Sequence, residues 1–278
     1  MIEHVYRRAS AAKSIQSVIV ATDDERILRA VLAFGGRARM TSRDHQSGSD
    51  RLAEIAADLS CDLVVNVQGD EPLIDPEVLD EAIAPFVSEP SLMMSTLRRR
   101  IDDPADLVNP NVTKVVTDAD GYALYFSRSA IPFRREGCPP APAWRHIGLY
   151  VYRRECLLRL AALEPTPMER SEALEQLRAV EHGIRIRVVE TCHDSIGVDT
   201  PDDLERARQE MSALSAQRGE TLVSVSAERH QAAGAPTVRH AGAERGYGDP
   251  ASDGDGGSGG AKPPGKKVER VPENTGVG

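Results

Sequence analysis

The feature that most limits the fold is the alternation of short apolar runs with stretches of helical period. Residues 17–21 (SVIVA), 62–67 (DLVVNV), 91–97, 146–152 and 184–190 read as strands. The first two are almost continuously apolar, the pattern of strands covered on both faces rather than one. The stretches between them have readable helix ends. A helix from Asp24 stops at Gly35-Gly36, and Asp75-Pro76 supplies an N-cap with proline at the first helical position for a helix to 87. Further helices are predicted over 153–163 and over 169–182, the latter ended by Gly183, and Thr200-Pro201-Asp202-Asp203 opens a last one to 214. Segments 113–117 and 122–127 flank Asp118-Ala119-Asp120-Gly121, a hairpin signal. The expectation is an α/β fold with a layered, mostly parallel sheet and an antiparallel hairpin portion. The opening Met1-Ile2-Glu3-His4-Val5 already reads as a helix, with no strand and glycine-rich loop of the kind that cradles phosphate before it.

Composition changes near residue 212. The final 67 residues contain 13 Gly and 5 Pro, one aromatic (Tyr247) and balanced charge. Such a segment cannot bury enough apolar surface to offset its ordering entropy. The expected organisation is a folded domain over 1–214 and a disordered Gly/Pro-rich tail over 215–278. The net charge of −9 therefore belongs to the folded part, which argues against a nucleic-acid partner. No apolar run reaches the roughly 18 residues of a membrane span, and the charged N-terminus lacks the apolar segment of a signal peptide. Cys61, Cys138, Cys156 and Cys192 are widely spaced, suggesting neither a zinc site nor a disulfide framework, and fit a cytoplasmic protein.

Three stretches look like chemistry. In Asn66-Val67-Gln68-Gly69-Asp70-Glu71-Pro72 a buried strand runs directly into a turn with two acids. Ligands of open α/β sheets bind at the carboxyl ends of strands, where a carboxylate such as Asp70 offers Mg²⁺ a hard oxygen. Asp199, in Ile196-Gly197-Val198-Asp199-Thr200-Pro201, reads by itself as a cap residue. Paired with Asp70 it supplies the second carboxylate of a nucleotide-bound Mg²⁺ site. The polar loop around His45, Gln46, Ser47 and Gly48 enters a helix, and suits either a base or anion site or an ordinary capped loop.

Taken in order, Ala21-Thr22-Asp23, the His45–Gly48 loop, the Asn66–Pro72 stretch, Asn109-Pro110-Asn111, Tyr125-Phe126-Ser127-Arg128, Arg145-His146-Ile147-Gly148-Leu149-Tyr150, Leu174-Glu175-Gln176-Leu177-Arg178 and Gly197-Val198-Asp199-Thr200-Pro201 resemble the 3-deoxy-manno-octulosonate (Kdo) cytidylyltransferases over residues 1–211. The resemblance implies a Rossmann-like nucleotidyltransferase sheet, CTP and Kdo as substrates, CMP-Kdo and pyrophosphate as products, Mg²⁺ as cofactor, a cytoplasmic role in lipopolysaccharide biosynthesis and a homodimer. It places Asp70 and Asp199 on the metal, and Gln68 with His45, Gln46, Ser47 and Gly48 at the CTP or sugar side. Arg128, His146, Tyr150, Glu175 and Gln176 line the sugar site, Arg128 with a planar fork suited to a carboxylate.

The resembled family opens with a strand and a basic phosphate-clamping loop, and this chain is expected to begin after it. Little transferase activity is then expected of residues 1–278 alone. An inactive, truncated relative and a cytidylyltransferase for another 2-keto acid sugar are the alternatives.

Overall fold

The computed structural model describes residues 1–217 except 46, 140, 195, 196 and 199, without the side chains of 215–217. In chain order its elements are α1 (Ile2–Ala11), β1 (Val20–Thr22), α2 (Glu25–Ala33), β2 (Ala38–Met40), α3 (Gly48–Ala57), β3 (Leu63–Asn66), α4 (Pro76–Ile83), α5 (Pro85–Ser88), β4 (Met94–Arg100), α6 (Pro104–Val108), β5 (Lys114–Thr117), β6 (Ala123–Ser127), β7 (Trp144–Arg153), α7 (Arg154–Ala161), α8 (Pro167–Glu172), α9 (Gln176–Glu181), β8 (Ile186–Glu190) and α10 (Pro201–Gln217). Helix starts follow their caps. The side chains of Asp24, Ser47, Asp75 and Asp103 each accept a backbone N–H from the first turn they precede. α10 runs three residues past the boundary expected at 214, and 218–278 lie outside the described residues.

β1 and β2 form a parallel pair, and the other six strands form one sheet in the order β6-β5-β7-β4-β8, with β3 also on β7. The sheet is mixed rather than mostly parallel. β7 is antiparallel to β3, β4 and β5, and only β4 with β8 is parallel in this sheet. The expected crossovers are present, and β3, β4, β5 and β8 do share one direction. A crossover helix sets direction, however, not the hydrogen-bonded neighbour. β7, arriving later in the chain, lies between β3 and β4. One edge of β7 pairs with β4, and the other is shared by β3 and β5.

Alternate residues of β7 feed two cores. Tyr150 and Tyr152 pack with Ala53 and Ala56 of α3, Cys156, Leu157 and Leu160 of α7, and Leu177 of α9. Leu149 and Val151 pack on the opposite face with Ala9 of α1 and with Val78, Leu79 and Ala82 of α4. Helices therefore cover both faces, as apolar strands require. The β4–β7 register shifts between Thr96 and Leu97, so Gly148 and Leu149 of β7 have no opposite number on β4. The Thr96 hydroxyl donates towards the Leu149 carbonyl (2.8 Å) at this irregularity.

The helix expected over 169–182 is broken. Ala173 adopts φ 52°, α8 ends before it and α9 starts at Gln176. The break is pinned by a buried ion pair. Arg178 of α9 donates through Nε and Nη2 to both oxygens of Glu169 in α8 (2.8 and 2.5 Å), and Glu169 also accepts the Thr166 N–H in a capping box. Burial pushes the Glu169 carboxyl up, but the Arg178 and Thr166 hydrogen bonds outweigh it and hold the group below its ordinary range.

Candidate functional site

Asn66, the buried last residue of β3, pairs with Tyr150 of β7, and the chain continues beyond it into the 68–71 turn. The Glu71 N–H closes that turn on the Gln68 carbonyl (3.4 Å). Helix α1 braces the residues just after it, Arg8 donating to the carbonyls of Leu73 and Ile74. Gln68 is exposed and Asp70 partly exposed at this sheet end. The Val198 N–H donates to the Asp70 carbonyl (2.9 Å), so the segment leading to Asp199 lies directly against the turn. Asp199 itself, like Gln46, lies outside the described residues. Asp70 by itself offers a divalent cation one hard carboxylate oxygen at this strand end. Among the described residues a different group, Asp75, Glu77 and His193, places three ligand-type atoms within 4.8 Å of one another. There Asp75 caps α4 by accepting the Glu77 N–H.

His146, Tyr150 and Tyr152 form a row along β7, with ring centroids 5.3 and 5.9 Å apart, and Phe126 meets His146 edge-on at 5.0 Å. Part of His146 reaches solvent, but its ring is enclosed, with Nε2 2.9 Å from the Thr96 hydroxyl. Loss of hydration drops its pKa to about 3, so the imidazole is neutral at pH 7. The unfolded chain takes up a proton near 6.5 that the folded state refuses until about 3. Stability should therefore fall as pH drops below 6.5. Between pH 7 and pH 5 the loss from this group is up to about 2 kcal/mol, measurable by denaturant titration. His146→Gln should remove that part of the acid sensitivity, and an unchanged pH dependence in the variant would refute the assignment.

The Tyr150 hydroxyl is buried and makes no hydrogen bond among the described residues. Burial pushes it well above its ordinary pKa, and the nearby Tyr152 and Glu175 add to that. An orphaned buried hydroxyl is costly unless a ligand satisfies it. Glu175 lies just beyond the Ala173 break, and its Oε2 accepts the Ser49 hydroxyl of α3 at 2.7 Å. Gln176 is buried beside it. The helix break thus separates the two side chains, leaving Glu175 exposed at the entry to α9 and Gln176 buried.

The 45–48 loop enters α3 through the Ser47 cap. Glu54 holds it from within the helix, accepting the Ser42 N–H (3.0 Å) and pairing with His45 Nε2. Those bonds, the Ser42 N–H first, lower the Glu54 pKa. Gly48 is exposed, and a Cβ there would meet nothing within 4 Å, which leaves the helix N-terminus open to approach. Arg51 is turned away from it, donating to Thr41 and Asp23.

Arg128 does not present an unengaged fork. Its Nε donates to the Glu172 carbonyl (2.7 Å), Nη1 to Pro110 (3.1 Å) and Nη2 to Ala173 (3.3 Å), so it buttresses the helix break. Sequence reasoning missed Glu172. Its carboxylate accepts from the Ser127 hydroxyl (2.7 Å) and the Arg128 N–H (2.9 Å). The Asn109-Pro110-Asn111 stretch has a similar use, since the fully buried Lys114 ammonium donates to the Asn109, Val112 and Arg128 carbonyls (2.8, 2.6 and 2.5 Å). Ser49 also escapes a reading of the sequence, because no local pattern links it to Glu175. Cys61, Cys138, Cys156 and Cys192 are not joined to one another.

Comparison with known proteins accounts for this arrangement of motifs. The family model described as cytidylyltransferase matches residues 1–186. The chain is similar to the 3-deoxy-manno-octulosonate cytidylyltransferase of Pelobacter propionicus, 56% identical over 224 residues, covering 77% of this chain and 88% of that protein. It is similar also to that of Geobacter sulfurreducens, 53% identical over 221 residues, covering 76% and 88%. A solved CMP:2-keto-3-deoxy-manno-octonic acid synthetase complexed with CTP superposes with a TM-score of 0.73 at 42% identity, over 77% of this chain and 88% of that one. With more than half of the aligned residues identical across nearly nine-tenths of the two bacterial relatives, the chain belongs to the 3-deoxy-manno-octulosonate cytidylyltransferases.

Proposed function

We propose that this protein activates Kdo for lipopolysaccharide biosynthesis, converting CTP and Kdo into CMP-Kdo and pyrophosphate in the cytoplasm. The observation that supports this reading best is the Ser49–Glu175 hydrogen bond, which seats the helix entered from the 45–48 loop on the Leu174–Arg178 motif. In this reading the open N-terminus of α3, with His45, Gln46, Ser47 and Gly48, receives the nucleotide, and Gln68 lies between nucleotide and sugar. His146, Tyr150, Glu175 and Gln176 receive the sugar, on the wall that Arg128 braces.

A Kdo hydroxyl oxygen attacks the α-phosphorus of CTP. A new P–O bond forms as the hydroxyl gives up its proton to solvent, and the bond from the α-phosphorus to the bridging β-phosphate oxygen breaks, releasing pyrophosphate. Both reactants are anions, so the protein's task is positioning and charge compensation. Asp70 and Asp199 are the residues that would hold Mg²⁺, which supplies positive charge at the phosphates. Neutral His146 takes part as a hydrogen-bonding ring rather than a cation. The Tyr150 hydroxyl donates to the sugar and Glu175 accepts from its hydroxyls.

The test is CTP-dependent pyrophosphate release by the purified chain with Kdo or with a neuraminate-type acid. Release with Kdo alone supports the reading. Release with the neuraminate-type acid overturns the sugar assignment. Thermal protection by Kdo without release identifies a sugar-binding relative instead of an enzyme.

A further inference from the structure

Recognition of the sugar needs side chains that meet it and a framework that aims them. Glu175 is exposed, and a glutamate on a helix-entry segment has three side-chain torsions whose freedom must be lost on binding. One of its oxygens is nevertheless fixed, by the hydroxyl of Ser49 at 2.7 Å. Ser49 is buried in the first turn of α3, far from Glu175 in sequence. α3 in turn packs through Ala53 and Ala56 against Tyr152 of β7, which is almost fully buried. The hydroxyl that holds Glu175 is therefore fixed to the framework of the sheet, inside a layer otherwise packed with apolar side chains. A buried polar group of this kind is costly unless it is satisfied, and when satisfied it holds one geometry.

A second observation points to a ligand. The Tyr150 hydroxyl, on the same face of β7 as Tyr152, is buried and has no hydrogen-bond partner among the described residues. A held acceptor and an unsatisfied buried donor are what recognition of a polyhydroxylated ligand requires.

We propose that Ser49, buried in the first turn of α3, is a positioning residue that aims the Glu175 carboxylate at the hydroxyls of the bound sugar acid. Ser49 does not touch the sugar and acts only through Glu175. The inference rests on the sugar-side assignment of Glu175 made above. It also joins the nucleotide-side helix to the sugar-side motif through a single hydrogen bond.

The experiment is a double-mutant cycle on Kdo affinity, measured calorimetrically on the whole chain for wild type, Ser49→Ala, Glu175→Gln and the double variant, with thermal unfolding and CTP affinity recorded for each. Ser49→Ala should weaken Kdo binding about tenfold, the loss of one hydrogen bond to a charged group, and leave CTP affinity unchanged. Glu175→Gln should weaken it at least as much. The double variant should bind no worse than Glu175→Gln, since two residues acting through one group are not additive. Independent, multiplying losses would overturn the positioning role while leaving Glu175 in the site. Unchanged Kdo affinity in Glu175→Gln would instead overturn the sugar-side assignment on which the inference stands. Should Ser49→Ala unfold early, Ser49→Cys in the same cycle serves as the second variant, because it keeps the bulk while the thiol is only a weak donor, and it too should lose its effect once Glu175 is Gln.

Discussion

Replacing Asp70 by Asn is expected to lower kcat/KM for CMP-Kdo formation by about 10³ while leaving the unfolding free energy within about 0.5 kcal/mol of wild type. The two halves of this expectation have separate causes. Asp70 is partly exposed in a turn, and the bond that ties this turn to the 197–198 segment uses its backbone carbonyl, which Asn keeps. The substitution changes the side chain by one atom and its charge by one unit, and leaves the apolar packing of Leu73 and Ile74 below the turn untouched. What is lost is a hard anionic oxygen where the triphosphate needs a counter-charged metal. Steady-state kinetics across a Mg²⁺ series, with denaturant unfolding of both proteins, makes the comparison. Turnover within tenfold of wild type would remove Asp70 from the metal site. A stability loss above about 2 kcal/mol would show that the carboxylate is structural.

Arg178→Met is expected to be the most damaging single change to stability, at about 3–5 kcal/mol. Arg178 and Glu169 are each only 7% exposed and joined by two hydrogen bonds, with a further bond from Nη1 to the Leu163 carbonyl. Methionine fills similar volume but leaves the Glu169 carboxylate buried without its cation. Removing both charges, in Arg178→Met with Glu169→Leu, should recover a large part of the loss, because a buried ion pair contributes little over an apolar pair of similar size. The single variant should be least destabilised in acid. The pair's contribution is present above the unfolded Glu pKa of about 4.5 and fades as pH falls through the depressed folded value. Equilibrium unfolding of the three proteins at pH 7 and pH 4 tests this. Equal stability of wild type and Arg178→Met would refute it. Because the pair clamps α8 to α9 around Ala173, the single variant should also weaken Kdo binding through Glu175.

Helix starts and the hairpin were legible in the residues because their causes are local. Asp24 and Asp75 accept N–H groups two residues on, and Gly121 and Gly183 adopt the positive φ values that glycine allows most readily. β2 and α6 escaped notice because three and five residues are too few to show a period. The order of motifs pointed to the family, and the 66–72 stretch to a strand-end site, for the same reason: each is contiguous in the chain.

Tertiary structure decided what depends on partners distant in sequence. Strand direction follows from crossovers, but the insertion of β7 between β3 and β4 depends on which edges remain open once the sheet assembles, and that made a sheet expected to be mostly parallel, with an antiparallel hairpin portion, antiparallel at its centre as well. Arg128 reads as a ligand-gripping fork, and only the fold shows that its guanidinium also donates to three carbonyls around it. His146 has an ordinary pKa in the unfolded chain and about 3 in the enclosure that Phe126 and Tyr150 make. Glu175 became a fixed acceptor only through Ser49, 126 residues away. Caps and turns are satisfied by groups within a few residues of one another, so the sequence determines them alone. Pairing, desolvation and side-chain aim are properties of the packed interior, and exist only after the chain has brought its distant parts together.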